Sequence, residues 1–224
     1  MAKHTEDGVF REIDEELRHE NYAKLWKRYG KYIIALALGL IAGVAGYQAW
    51  RTYDINTRTA LGERFAIALN LGEGKDTQAA VDAFSGLSAD ASGGYAMLAR
   101  FQEAALLAKN SRRAASVAAY RQLANDGGID VIYRDLALLL GITHEINSPA
   151  GITTAAELRS RLAPLTADDN PWRHSALEIT ALLEKRAGNR SLARELFTRL
   201  GSDAMTPRGI RSRANEMLVT LGRK

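Results

Sequence analysis

The residues able to do acid–base, nucleophilic or metal chemistry are scattered in this sequence. The four histidines are His4, His19, His144 and His174. No two share the i,i+4 spacing that sets a pair of imidazoles on one metal ion. Asp14, Glu15 and Glu16 are adjacent, and on a helix adjacent carboxylates point in different directions. Asp168 and Asp169 precede Asn170-Pro171, where negative charge favours a helix N-terminus with no need for catalysis. Gly93-Gly94 opens a helix but lacks the strand and further glycines of a phosphate loop. No GxxxxGK[ST], GxSxG or HExxH occurs. Zero cysteines removes thiol catalysis, Cys-based zinc sites and disulfides. No nucleophile, base and orienting group converge, so the sequence predicts a protein that is not an enzyme. No catalytic residue, cofactor or metal ligand is expected.

The elements that carry these residues read as helices. Of 224 residues, 46% are apolar and 25% charged, values that exclude pervasive disorder and collagen. A mean hydropathy of -0.21 excludes a polytopic membrane protein. Only four prolines occur, and runs of alternating Val, Ile and Thr are missing. The expected class is all-α. A net charge of +4 without interleaved aromatic residues does not point to nucleic acid.

One segment departs from the average. Tyr32 to Trp50 reads YIIALALGLIAGVAGYQAW, without a charge, between Lys31 and Arg51. As a helix it extends about 28 Å, close to the hydrocarbon thickness of a bilayer. Its seven large aliphatic residues favour insertion by about 2–4 kcal/mol. Tyr32, Tyr47 and Trp50 sit at the ends, where amphipathic rings prefer the headgroup region. Lys24, Lys27, Arg28 and Lys31 crowd the N-terminal flank, so the positive-inside rule predicts a cytoplasmic N-terminus. The charged leader and the apolar core are both too long for a cleavable signal peptide. The expected organisation is a cytoplasmic amphipathic segment (1–31), a transmembrane signal anchor (32–50) and an exported domain (51–224). Within the anchor Ala35, Gly39 and Gly43 form a small-xxx-small ridge at which another helix could approach closely.

Residues 51–224 carry a recurring pattern. Phe84 has Ala80 four residues before it and Ala68 sixteen before. Tyr120 has Ser116 and Ala104 at the same offsets, and Phe197 has Ala193 and Ala181. Gly188 lies nine before Phe197, and a leucine follows each aromatic by three: Leu87, Leu123 and Leu200. Small residues at these offsets let two helices approach, and the aromatic fills the groove. Phe84 and Tyr120 are 36 residues apart, close to the repeat period of about 34. The wider gap to Phe197 predicts a degenerate unit near 130–165, with Leu158 or Leu162 at its aromatic position. Helix punctuation is expected at Thr154–Glu157, Asn170-Pro171 and Thr206-Pro207. Glycines 72, 74, 127, 128, 188 and 201 are expected to supply stops or turns.

This pattern resembles the tetratricopeptide repeat. The resemblance implies stacked helix hairpins, although Arg64, Arg100 and Leu177 stand where its signature tryptophan would be. The whole layout, with FREIDEELRHENYAKLWKRYG running into the anchor, also resembles a bacterial inner-membrane family. That family is the tetratricopeptide-like ancillary subunit of the Sec translocon, and the form that this chain resembles is the alphaproteobacterial one. The resemblance implies a periplasmic domain tethered beside the translocon, with a membrane-anchored periplasmic chaperone and exported polypeptides as partners. It brings no catalytic residues. The alternative is a structural scaffold that organises envelope or cell-division proteins through the same repeat surface.

Overall fold

The computed structural model describes residues 4–74, 76–146 and 155–222, with side chains from Lys24 onward. All elements among the described residues are helical. They are α1 (His4–Glu73), α2 (Thr77–Asp90), α3 (Gly93–Lys109), α4 (Arg113–Ala124), α5 (Val131–Ile146), α6 (Ala155–Leu162), α7 (Arg173–Arg186), α8 (Arg190–Ser202) and α9 (Arg208–Gly222). A 3-10 turn, Ala163–Thr166, follows α6. The chain divides into two units, Met1–Thr59 and Ala60–Lys224.

The described residues of the first unit all belong to α1. An apolar window with a mean hydropathy of 1.7 lies in this helix, and none of it is buried. Ile33, Leu36, Leu40, Ile41 and Val44 are all exposed. A helix satisfies its own backbone hydrogen bonds, so a bare apolar helix is suited to lipid. It is a candidate membrane span. Ala35, Gly39 and Gly43 are exposed on it, and a Cβ built at Gly39 or Gly43 would meet nothing within 4 Å.

The second unit is a series of helix hairpins. The end of α1 pairs with α2 through Ala68, Ala80 and Phe84, joined by Leu106 and Leu107 of α3. Asp76 caps α2 by accepting from the Ala79 N–H at 3.0 Å, which satisfies one of the four free donors of the first turn. Next, α3 pairs with α4 through Ala104, Tyr120 and Leu123. Then α7 pairs with α8 through Leu177, Ala181, Ala193 and Phe197, and α9 closes the series against α8. Between them, α5 and α6 bring Ile142, Ile146, Leu158 and Leu162 into one cluster. Leu158 and Leu162 are both wholly buried there.

The helix ends differ from the sequence expectations in places. Asn170 does not cap α7. Its side chain accepts from the Trp172 N–H at 2.8 Å, a turn that precedes the first residue, Arg173. The α9 helix begins one residue beyond Pro207, whose carbonyl accepts from Arg211 N. The Thr206 hydroxyl is buried without a partner rather than capping. Gly72 and Gly201 lie in the last turns of α1 and α8, one residue before their ends. A Cβ on Gly201 would meet Asn215 Oδ1 at 2.7 Å. Thr154 lies outside the described residues.

Gly188 also serves differently from a packing residue. It is exposed, and a Cβ there would meet nothing within 4 Å. Its φ of +90° is what requires glycine. Gly188 N donates to the Lys185 carbonyl and Asn189 N to the Glu184 carbonyl, the paired bonds of a Schellman helix end. Ser111 takes the same place after α3, nine residues before Tyr120, with a φ of +62°. There Ser111 N bonds the Ala108 carbonyl and Arg112 N the Leu107 carbonyl.

Candidate interaction site

The groups with potential chemistry are held in structural roles. Among the described residues, no three His, Asp or Glu side chains gather to hold a metal ion. The His144 ring stacks on Tyr120, with centroids 5.7 Å apart and planes within 9°. Burial, together with the Arg113 charge, holds His144 below the usual histidine range. Burial pushes the Tyr120 phenol up, so both rings are neutral at pH 7. His174 Nε2 lies 3.1 Å from Asp203 Oδ2, and Asp168 Oδ1 accepts from Arg173 Nη1 at 3.0 Å. Gly93 starts α3 with a φ of +64° and has no phosphate loop around it.

The recurring small and aromatic positions lie at the centres of the hairpins. Ala68, Ala80, Ala104, Ser116, Ala181, Ala193 and Phe197 are wholly buried, and Phe84 and Tyr120 nearly so. Phe65 meets Phe84 edge-on at 5.3 Å, and Phe101 meets Tyr120 at 6.2 Å. Gly141 lets α5 approach α4, since a Cβ there would sit 3.1 Å from Tyr120 Cβ. Ser116 is the exception in chemistry: its Oγ is buried with no hydrogen-bond partner.

A second recurrence escaped the sequence reading. Arg64 Nη2 donates to Asp90 Oδ2 at 2.8 Å, and Arg100 Nη1 donates to Asp126 Oδ2. Each arginine lies 20 residues before the hairpin's aromatic and each aspartate 6 after it. In the last hairpin Asp203 keeps its place six residues after Phe197. Its partners shift one turn upstream to Arg173, at 2.9 Å, and His174, because Leu177 occupies the arginine position. Asp126 Oδ1 also accepts from Gly128 N, and Asp203 Oδ1 from Met205 N. The arginine bond and the Gly128 N–H hold Asp126 below the usual carboxylate range. The Met205 N–H and His174 do the same for Asp203. Each clasp ties the first helix of a hairpin to the turn leaving the second. The signal was in the sequence, as an acid at a fixed offset from each aromatic.

Helices α5 and α7, the first helices of successive hairpins, border a cavity of about 350 Å³. Ile146, Ile179 and Leu182 form its apolar wall; Thr143, Lys185 and Arg186 supply polar groups. Such a hollow suits an aliphatic or aromatic side chain.

A family model described as a tetratricopeptide repeat-like domain matches residues 23–139. The chain belongs to this family. No curated protein and no solved structure matches it. The matched region takes in the candidate span, the first two hairpins and most of α5. The α7–α8 pair lies beyond it and repeats the same buried offsets. Tetratricopeptide repeat-like domains are protein–protein interaction modules, typically without catalysis, and they build their binding surfaces by stacking hairpins.

Proposed function

We propose that this chain is a non-enzymatic, single-pass inner-membrane protein that holds polypeptides at the exit of the Sec translocon. In this reading residues 1–31 are cytoplasmic, 32–50 cross the membrane and 51–224 lie in the periplasm. The repeats pass exported chains to a membrane-anchored chaperone. The observation that carries the reading is the presence in one chain of a fully exposed apolar helix and tetratricopeptide repeat-like hairpins. The excess of bases before Tyr32 supports the orientation. The likeness of residues 9–31 to the translocon's ancillary subunit supports the choice of partner. The Ala35–Gly39–Gly43 ridge is the face offered to a neighbouring helix, because small side chains permit close backbone approach in lipid. The hollow between α5 and α7 is the place offered to an extended client.

Photo-crosslinkers test both contacts in cells. A probe at Leu40, beside the ridge, is expected to capture translocon subunits, and one at Ile179 or Leu182 to capture many exported chains. Capture of one folded envelope protein from both places would establish the scaffold reading instead. Protease added to spheroplasts is expected to digest the chain beyond Arg51 and spare an N-terminal tag. A tag cleaved from outside would overturn the orientation.

A further inference from the structure

From Asn21 to Tyr53 the sequence contains no acidic residue. Four of its bases, Lys24, Lys27, Arg28 and Lys31, lie just before the apolar segment. In α1 they recur at i, i+3, i+4 and i+7, so they share one face of the helix. All four are exposed. Trp26, Tyr29 and Ile33 follow the same spacing on the opposite side and are exposed as well. The Trp26 indole lies along the helix over Gly30, where a Cβ would meet its Cδ2 and Cε2 at 3.2 Å. Arg28 Cζ is 5.6 Å from the Tyr29 ring centroid, and Lys31 Nζ is 5.1 Å from that of Tyr32.

Among the described residues no carboxylate pairs with Lys27, Arg28 or Lys31. Like charges at i,i+4 repel, as do Lys27 and Lys31. A dense layer of anions alongside the helix would offset that repulsion. The depth fits one such layer. Lys27 to Tyr32 covers about 8 Å of helix, against a layer of roughly 5–8 Å per leaflet; Lys24 lies one turn further out, and aromatic rings interleave the cations along the helix. We propose that Lys24, Lys27, Arg28 and Lys31 form a binding site for anionic phospholipid headgroups, in the leaflet at the N-terminal end of the span. This rests on the reading of Tyr32–Trp50 as that span. The other end is unlike it: Arg51 is followed by Asp54, and Arg58 is already paired with that aspartate at 3.0 Å.

The full chain reconstituted into phosphatidylcholine vesicles with a minor share of phosphatidylglycerol provides the test. Two single-tryptophan forms are needed, one keeping Trp26 (W50F/W172F) and one keeping Trp50 (W26F/W172F), each checked for helix content. Brominated phosphatidylglycerol is expected to quench Trp26 several-fold more than brominated phosphatidylcholine at equal mole fraction. That excess should shrink with added salt and vanish in K24Q/K27Q/R28Q/K31Q. Trp50 should be quenched equally by both lipids. Equal quenching of Trp26 by the two lipids would overturn the site while leaving the span in place, as would an excess that survives the quadruple substitution. Failure of either lipid to quench Trp26 and Trp50 would overturn the span itself.

Discussion

Ser111 and Ser116 sit at two of the recurring positions, and each is the poorer choice among its equivalents. Ser111 holds a φ of +62° where the last hairpin uses Gly188. A Cβ in that conformation costs roughly 1–2 kcal/mol. Ser116 buries an unpartnered hydroxyl where the equivalent residues are Ala80 and Ala193. Leaving such a group unsatisfied costs about 1–3 kcal/mol. Ser111→Gly and Ser116→Ala are therefore both expected to stabilise the full chain by about 1 kcal/mol, read as a higher denaturant midpoint. A lower midpoint for Ser116→Ala would mean that its hydroxyl has a partner after all.

The hairpins respond to acid through two kinds of group. His144 is held below its ordinary range, so the unfolded chain binds a proton that the folded one does not. Its contribution to stability is intact above about pH 6.5 and is lost as the pH falls below that value. Asp126 and Asp203 are also held low, so theirs is intact above about pH 3.9 and is lost on further acidification. The midpoint of urea unfolding should thus fall in two steps between neutral pH and pH 3. His144→Phe keeps a ring against Tyr120 and should abolish the upper step alone. Asp126→Asn keeps an acceptor for Gly128 N but loses the charge beside Arg100. Asp126→Ala loses both and should lower the midpoint further than Asp126→Asn. Equal midpoints for the two would show that the turn bond contributes nothing.

A series of hairpins packed neighbour to neighbour should fail locally. Phe197 is wholly buried among Leu177, Ala181, Ala193 and α9, while α2 and α3 share a separate cluster around Phe84. Phe197→Ala should destabilise the last hairpin by about 3–5 kcal/mol, the range for truncating a core aromatic. Hydrogen exchange is the measurement: amides of α7–α9 should exchange faster, with those of α2 and α3 almost unchanged. Uniform acceleration along all the helices would show one cooperative unit.

The helical class, the apolar segment and the small–aromatic spacing were legible in the sequence because each is written in local composition and periodicity. A residue four positions from another on a helix is its neighbour whatever the rest of the fold does. That is why positions such as Ala80 and Phe84, or Ala193 and Phe197, can be read as one face. The clasps could not be read so directly, although their offsets were present. Asp203 has Arg173 and His174 within reach, and only the placement of two helices decides which side chains turn toward it. Gly188 and Ser111 show the same division. Their distance from the aromatic is a sequence property, whereas the positive φ belongs to the way the chain leaves one helix and enters the next. The hollow between α5 and α7 belongs entirely to tertiary structure. Its two walls, residues 143–146 and 179–186, are more than thirty positions apart along the chain and are drawn together by packing, which no local spacing encodes.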